Sequence, residues 1–343
     1  MYLDHNATSP MSPRVKDVLY SAMSETWANP SSPHSLGQAA CALVEHSRRV
    51  IGDLLEVPAK WVYFTSGATE GNAWVLANAT LPVIASAVEH PSVLAWASET
   101  IPVNGDGVID LDVLEARLQG GPALVSVMAA NNEIGILQPI EEINAICCRQ
   151  EALFHCDATQ LFGRYPARIN ADFITVSAHK LGGPRGVGAM VAKSPPKALL
   201  QGGKQERGAR AGTLNTPAIV GFGEALNEQR CWAGDERKKL EDFCVQQGGR
   251  VIGAGTARLP NTFSVLFDIP GDLLVTALDL NGVQASTGSA CASGATATSH
   301  VLEACGIEGV PVRFSFGPDS KAEPAIQALG AALDKMGESY SCV

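Results

Sequence analysis

The sequence predicts an α/β fold, a mainly parallel central sheet covered by helices with a smaller α+β domain beside it, and three observations carry that reading. Short segments that are apolar on both faces recur through the first part of the chain, helical patterns alternate with them, and chemically capable residues fall just after the apolar segments. A strand covered on both faces loses the polar alternation of a half-exposed one, so short continuous apolar runs suit a sheet sandwiched between helices.

The expected strands are Val62-Tyr63-Phe64, Val83-Ile84-Ala85, 123–127, 153–156 and 173–176, which place the sheet core roughly between residues 60 and 195. Helical spacing, with Pro or Gly near the ends, predicts helices over 13–28, 37–55, 140–151 and 216–230. Beyond Asp235 the pattern changes to a charged helix, a strand over 261–267, and further helix and strand. The expected division is therefore a large domain over 14–230 and a small domain formed by 1–13 with 231–343.

Bulk properties narrow the function. With 46% hydrophobic and 17% charged residues and 34 glycines in 343, the chain reads as a loop-rich globular enzyme. A net charge of −10 with scattered Lys and Arg argues against a nucleic-acid partner. Nine cysteines, an odd number without a CxxC pair, suggest neither a disulfide framework nor a metal site, and Cys147, Cys148 and Cys156 read as small buried apolar groups. The N-terminus has no basic region followed by an apolar core, and no apolar run approaches membrane-spanning length, so a cytoplasmic protein with no membrane partner is expected.

In open α/β sheets ligands bind beyond the carboxyl ends of the strands, so the residues just past each strand are the candidates for chemistry. Thr65-Ser66-Gly67-Ala68-Thr69-Glu70 leaves a strand through small residues and enters a helix, where free N–H groups can hold a phosphate; an ordinary capped helix start is the alternative. Asp157 ends another strand, where a buried carboxylate needs a cationic or hydrogen-bonding partner, such as a protonated ring nitrogen; a helix N-cap would serve as well. Ser177-Ala178-His179-Lys180 ends a third, before a glycine-rich loop. A partly buried lysine there would lose its charge easily and could form a Schiff base, although an isolated lysine is more often a solvated surface charge. Cys291, in 286–294, sits among Gly, Ser, Thr and Ala, a setting that suits a travelling thiolate nucleophile.

Taken in order, Leu3-Asp4-His5-Asn6-Ala7-Thr8, Asn29-Pro30, 64–70, Glu89-His90, 131–135, Asp157-Ala158-Thr159-Gln160, Ser177-Ala178-His179-Lys180, 206–213, Ser289-Ala290-Cys291 and Val312-Arg313-Phe314-Ser315 resemble the NifS/IscS-like cysteine desulfurases, class V members of the fold-type I pyridoxal 5′-phosphate (PLP) enzymes. The resemblance spans nearly the whole chain. It implies that Lys180 carries PLP, that Asp157 pairs with the pyridine nitrogen, that Gln160 bonds the ring's phenolic oxygen with Asn132 nearby, and that His90 stacks on the ring and helps move protons. Ala68, Thr69, Ser177 and His179 would hold the phosphate, with Thr213 reaching in from the second subunit of a homodimer. Arg313, with Asn132, would bind the substrate carboxylate.

The activity so implied takes sulfur from L-cysteine, yields L-alanine and leaves a persulfide on Cys291 for a sulfur-acceptor protein such as an iron–sulfur scaffold. The alternatives are a class V aminotransferase or selenocysteine lyase, against which Cys291 speaks in the first case, or a non-catalytic sulfur-transfer partner. The segment from Gly223 to Asn261 is shorter than the resemblance leads one to expect, and the chain stops soon after the helix following Ser315. An unusual acceptor or an activating partner is expected on that account.

Overall fold

A computed structural model describes residues 1–228, 232, 234–288 and 299–340. In chain order its helices and strands are α1 (Pro13–Glu25), α2 (Ser35–Leu54), β1 (Val62–Thr65), α3 (Ala68–Leu76), β2 (Val83–Ser86), α4 (Pro91–Leu94), β3 (Glu99–Ile101), α5 (Leu111–Leu118), β4 (Leu124–Ser126), α6 (Ile140–Arg149), β5 (Leu153–Asp157), β6 (Phe173–Ser177) and β7 (Gly188–Ala192). There follow α7 (Thr216–Asn227), α8 (Gly234–Gln246), β8 (Arg250–Val251), β9 (Thr262–Leu266), α9 (Gly271–Leu280), α10 (His300–Ala304), β10 (Val312–Ser315) and α11 (Glu323–Tyr340). The expected strands all form, and the expected helices form with their carboxyl ends drawn in by one to three residues, while α2 begins two residues earlier than expected, at Ser35.

Among the described residues, seven strands make one sheet in the order β1-β7-β6-β5-β4-β2-β3. Strand β7 runs antiparallel to both β6 and β1, and the remaining pairs are parallel. Two successive reversals leave β1 pointing the same way as β6, so β1, β2, β4, β5 and β6 all deliver their carboxyl ends to one edge. The reading from sequence missed β7, because its apolar run follows directly on a glycine-rich turn. That turn explains the reversal: a Cβ at Gly188 would lie 2.6 Å from the Val176 carbonyl oxygen and 2.8 Å from Gly67 Cα, so only glycine lets β7 return between β6 and β1.

The strands of this sheet are apolar on both faces because helices cover both. Phe64, Ile84, Val125, Phe154, Ile174 and Val191 belong to one core beneath α2, α6 and α7, while Tyr63, Ala85, Leu124 and Met190 pack with Trp74 and Leu76 of α3 on the other face. A second sheet, β10-β9-β8, is antiparallel and packs its Phe263, Val265, Val312 and Phe314 against Leu274 and Leu278 of α9 and Leu329 of α11. Leu3 is buried in this second core although it stands at the opposite end of the chain. One expectation fails: Cys147 is buried but Cys148 is exposed, since consecutive helical residues diverge by about 100° and α6 presents only one stripe to the sheet.

Glu206 fixes the loop after β7. Its carboxylate takes Nη1 and Nη2 of Arg48 at 2.8 and 2.7 Å and the Phe64 amide at 2.8 Å, all buried. Glu206 and Arg207 hold left-handed backbone angles (φ 45° and 60°), a conformation that for non-glycine residues costs on the order of 1–3 kcal/mol and persists only where contacts impose it. Replacing Glu206 by alanine leaves the buried Arg48 with Glu45 as its remaining acid and removes three buried hydrogen bonds to a charged group, so unfolding in urea should show a loss of about 1.5–3 kcal/mol; a loss below about 1 kcal/mol would mean that the pair does not hold this loop.

Candidate active site

At the carboxyl edge of the large sheet lies a cavity of about 830 Å³. Its lining includes Ala68, Thr69, His90, Asn132, Asp157, Gln160, Ser177, His179, Lys180 and Arg313, residues spread over more than two hundred positions of sequence. They meet because each lies just past a strand that ends at the same edge, except Arg313, which comes from β10 of the second sheet. Two expected residues are not among them. Thr213 lines a separate hollow with Met23, Trp27, Asn29 and Pro30, and Cys291 lies outside the described residues, although Gly288 and Ser299 on either side of it in sequence both line the cavity.

Asp157 closes β5 and is buried. Its Oδ2 accepts from Asn72 Nδ2 at 2.8 Å and its Oδ1 from the Thr159 amide at 3.0 Å. Asn72 Nδ2 also donates to Ser92 Oγ at 3.0 Å, and Ser92 in turn meets His90 Nδ1 through its hydroxyl at 2.8 Å and its amide at 3.1 Å. A backbone amide can only donate, so His90 Nδ1 is an acceptor and the ring's proton sits on Nε2. Burial holds the His90 pKa below the usual histidine value, so this ring is neutral at pH 7. Sequence reasoning missed Asn72. Its signal was a polar residue one turn beyond Ala68 on an otherwise apolar helix face.

Lys180 Nζ points at two backbone acceptors, the Asn6 carbonyl at 2.6 Å and the Ala7 carbonyl at 3.0 Å. Burial, then the nearby guanidinium groups of Arg164 and Arg313, pull its pKa down to about 8. The same causes act on His179, where burial first and the Lys180 charge second lower the pKa to about 4, and its Nδ1 meets Thr8 Oγ1 at 3.2 Å. Glu89, fully buried beside His90, accepts the Met128 amide through one oxygen and has no partner for the other; burial raises its pKa well above the carboxylate range. His155, which shares a strand with Asp157, is held between Ser126 Oγ and Thr175 Oγ1 and is a satisfied core residue.

Arg313 is almost wholly buried. Its Nη1 donates to the carbonyls of Asn132 (3.0 Å) and Gly288 (2.6 Å), its Nη2 to Asp4 Oδ1 (2.5 Å), and its Nε has no partner. Gln160 is fixed at both ends, Nε2 donating to the Asn6 carbonyl at 3.0 Å and Oε1 accepting from Arg164 at 2.7 Å. The backbone amides of Ala68 and Thr69 open α3 and have no intrahelical acceptors, so they face the cavity as anion donors beside Ser177. Glu70 caps the turn, accepting the Ser66 amide at 2.8 Å and pairing with Arg210 at 2.9 Å. The cavity thus offers an anion-binding end, a fixed carboxylate, an amine of low basicity, and a guanidinium with a donor to spare.

Comparison with known proteins places this geometry. The family model described as aminotransferase class-V matches residues 1–329. The chain is 38% identical over 335 residues to a cysteine desulfurase of Cereibacter sphaeroides, covering 89% of this chain and 86% of that one. It is likewise 38% identical over 337 residues to cysteine desulfurase IscS 1 of Archaeoglobus fulgidus, covering 90% and 88%. A solved structure described as a NifS-like protein superposes with a TM-score of 0.89 at 31% identity, covering 98% of this chain and 99% of that one.

The depressed basicity of Lys180 has a stability signature. The folded chain gives up this proton near pH 8 and an unfolded chain near 10.5, so between those values the unfolded state binds more protons and stability rises with pH. Urea unfolding of the wild type and Lys180→Met, below, within and above that interval, should show the wild type gaining on the variant as pH rises through it. Parallel pH profiles would mean that Lys180 titrates normally.

Proposed function

The chain belongs to the class V aminotransferase family and, within it, to the cysteine desulfurases, and from that premise we propose that it uses PLP, with Lys180 as the amine that holds the cofactor and Cys291 as the sulfur carrier. The observation that carries the reading is a buried lysine of lowered basicity in one cavity with a buried, hydrogen-bonded carboxylate and a helix N-terminus.

The residues fit such a cofactor. The amides of Ala68 and Thr69, with Ser177 and His179, suit its phosphate, and a partner's Thr213 in a homodimer would complete that end. Asp157, held by two donors, suits a protonated ring nitrogen, and the partnerless Thr159 Oγ1 beside it is a buried hydroxyl awaiting a group. When bound, PLP supplies an aldehyde for an amine and an electron-withdrawing ring conjugated to the substrate's α-carbon.

The chain's own residues supply the rest. Lys180 Nζ, close to neutral pH in its titration, takes and returns a proton at the substrate's α-carbon. The spare Nε donor of Arg313 receives the carboxylate of L-cysteine, with Asn132 at its side. His90, which lines the same cavity with Nδ1 occupied by Ser92, would present Nε2–H to the cofactor. The Cys291 thiolate attacks the sulfur of the substrate; the S–S bond forms as the Cβ–S bond breaks, and the electron pair left on Cβ takes a proton to give the methyl group of L-alanine. The persulfide then passes to a sulfur-acceptor protein such as an iron–sulfur scaffold. Among the described residues no helix is long and apolar enough to cross a membrane, and a cytoplasmic location is part of this reading. So is a division into a large domain, 14–230, and a small one, 1–13 with 231–343.

Incubation of the PLP-loaded protein with L-cysteine should yield alanine, with sulfide released when a reductant is present. Cys291→Ala should keep the bound cofactor's absorbance and lose turnover by about 100-fold or more. Equal activity in the variant, or a keto acid as product, would transfer the assignment to a lyase or a transaminase.

A further inference from the structure

Arg164 is a buried guanidinium, 5% exposed, without a carboxylate partner among the described residues. Its Nη1 donates to Asn6 Oδ1 at 2.9 Å and Gln160 Oε1 at 2.7 Å; its Nη2 donates to the His5 carbonyl at 2.8 Å and to the Lys180 carbonyl. The plane stacks on Trp232 at 4.4 Å, and Nε has no partner. An unpaired buried cation is expensive, and arginine, which keeps its charge where lysine would lose it, is the residue able to stay charged there. Burial lowers its pKa only to about 9.

We propose that Arg164 is the positioning residue for Lys180: it clamps the Asn6 segment whose carbonyls receive the amine, ties it to Gln160 and to the lysine's own backbone, and places beside the amine a positive charge that opposes its protonation. Lys180 faces Asp4 on the N-terminal segment, Asp157 on β5, His90 at the start of α4, His179 in its own turn and Arg313 on β10. Asp4 and Asp157 favour the ammonium. Arg313 opposes it but is itself matched by Asp4. Among the described residues Arg164 is the cation near Lys180 that no acid pairs with, and among neighbouring charges it has the largest effect on the amine. The proposal rests on the reading that Lys180 is the amine that takes the cofactor.

The test separates charge from clamp. The full-length protein, stripped of cofactor, is labelled with trace acetic anhydride across a pH series, and acetylation of the Lys180 peptide is measured by mass spectrometry against that of exposed Lys16. The wild-type midpoint should fall near pH 8. Arg164→Gln, which keeps acceptor contacts but removes the charge, should move it up by about one unit. Arg164→Lys, whose amine gives up its proton when buried, should move it up as well. A folded Arg164→Gln that titrates with wild type overturns the proposal; should that variant not fold, a folded Arg164→Lys that titrates with wild type overturns it instead. Borohydride trapping of the loaded protein tests the underlying reading apart from this, since a pyridoxyl adduct on a peptide other than that of Lys180 removes the cofactor assignment and leaves the labelling midpoint unchanged.

Discussion

The site depends on how Asn6 is held. Its amide donates to Ser315 Oγ at 2.9 Å, its Nδ2 to the Asn132 carbonyl, and its Oδ1 accepts from Arg164 and from Thr262 Oγ1. Its carbonyl then receives both Gln160 Nε2 and Lys180 Nζ. One buried residue near the N-terminus therefore joins the edge of the large sheet to β9 and β10 of the small one. A satisfied polar hub of this kind costs little when complete and a great deal when one member is missing, which makes the arrangement of the two sheets and the position of the Lys180 amine parts of one constraint.

The electrostatics come from the same burial. Low dielectric disfavours every charge in the cavity, and the effect differs by type: His90, His179 and Lys180 become less basic, and Glu89 becomes a weaker acid. Arg164 remains cationic because guanidinium does not readily yield its proton. The result is a pocket with permanent positive charge, a carboxylate held by two donors, and neutral bases. An anionic carboxylate and an anionic phosphate suit such a pocket, and the same positive charge lowers the basicity of Lys180.

Much of this was legible in the chain. Apolar runs covered on both faces gave the sheet, and the ends of those runs picked out Asp157, Lys180, His90 and the turn at Ala68. The ordered motifs gave the family. Less legible were residues whose part is defined by what they touch: Asn72 one turn into α3, Arg164 in the loop after β5, Glu206 under Arg48. Nothing in local sequence distinguishes a buried arginine from an exposed one, as Arg313 illustrates; by itself it reads as a strand-end surface residue, yet it is enclosed by carbonyls from two distant segments. The misreading of Cys148 has the same origin, since composition says that cysteine is small and apolar but only the orientation of α6 decides which of two adjacent thiols faces the core.

The sequence by itself determined the strand pattern, the chemistry available at the strand ends and the kind of enzyme these belong to, because hydrophobic periodicity and residue type are local properties. Tertiary structure decided the direction of β7, the partners that fix Asp157, His90 and Lys180, and the unpaired charge of Arg164. Those depend on the meeting of segments as far apart as Asn6 and Ser315, and on the loss of solvent where they meet, which gives buried charges their strength and which no stretch of sequence contains.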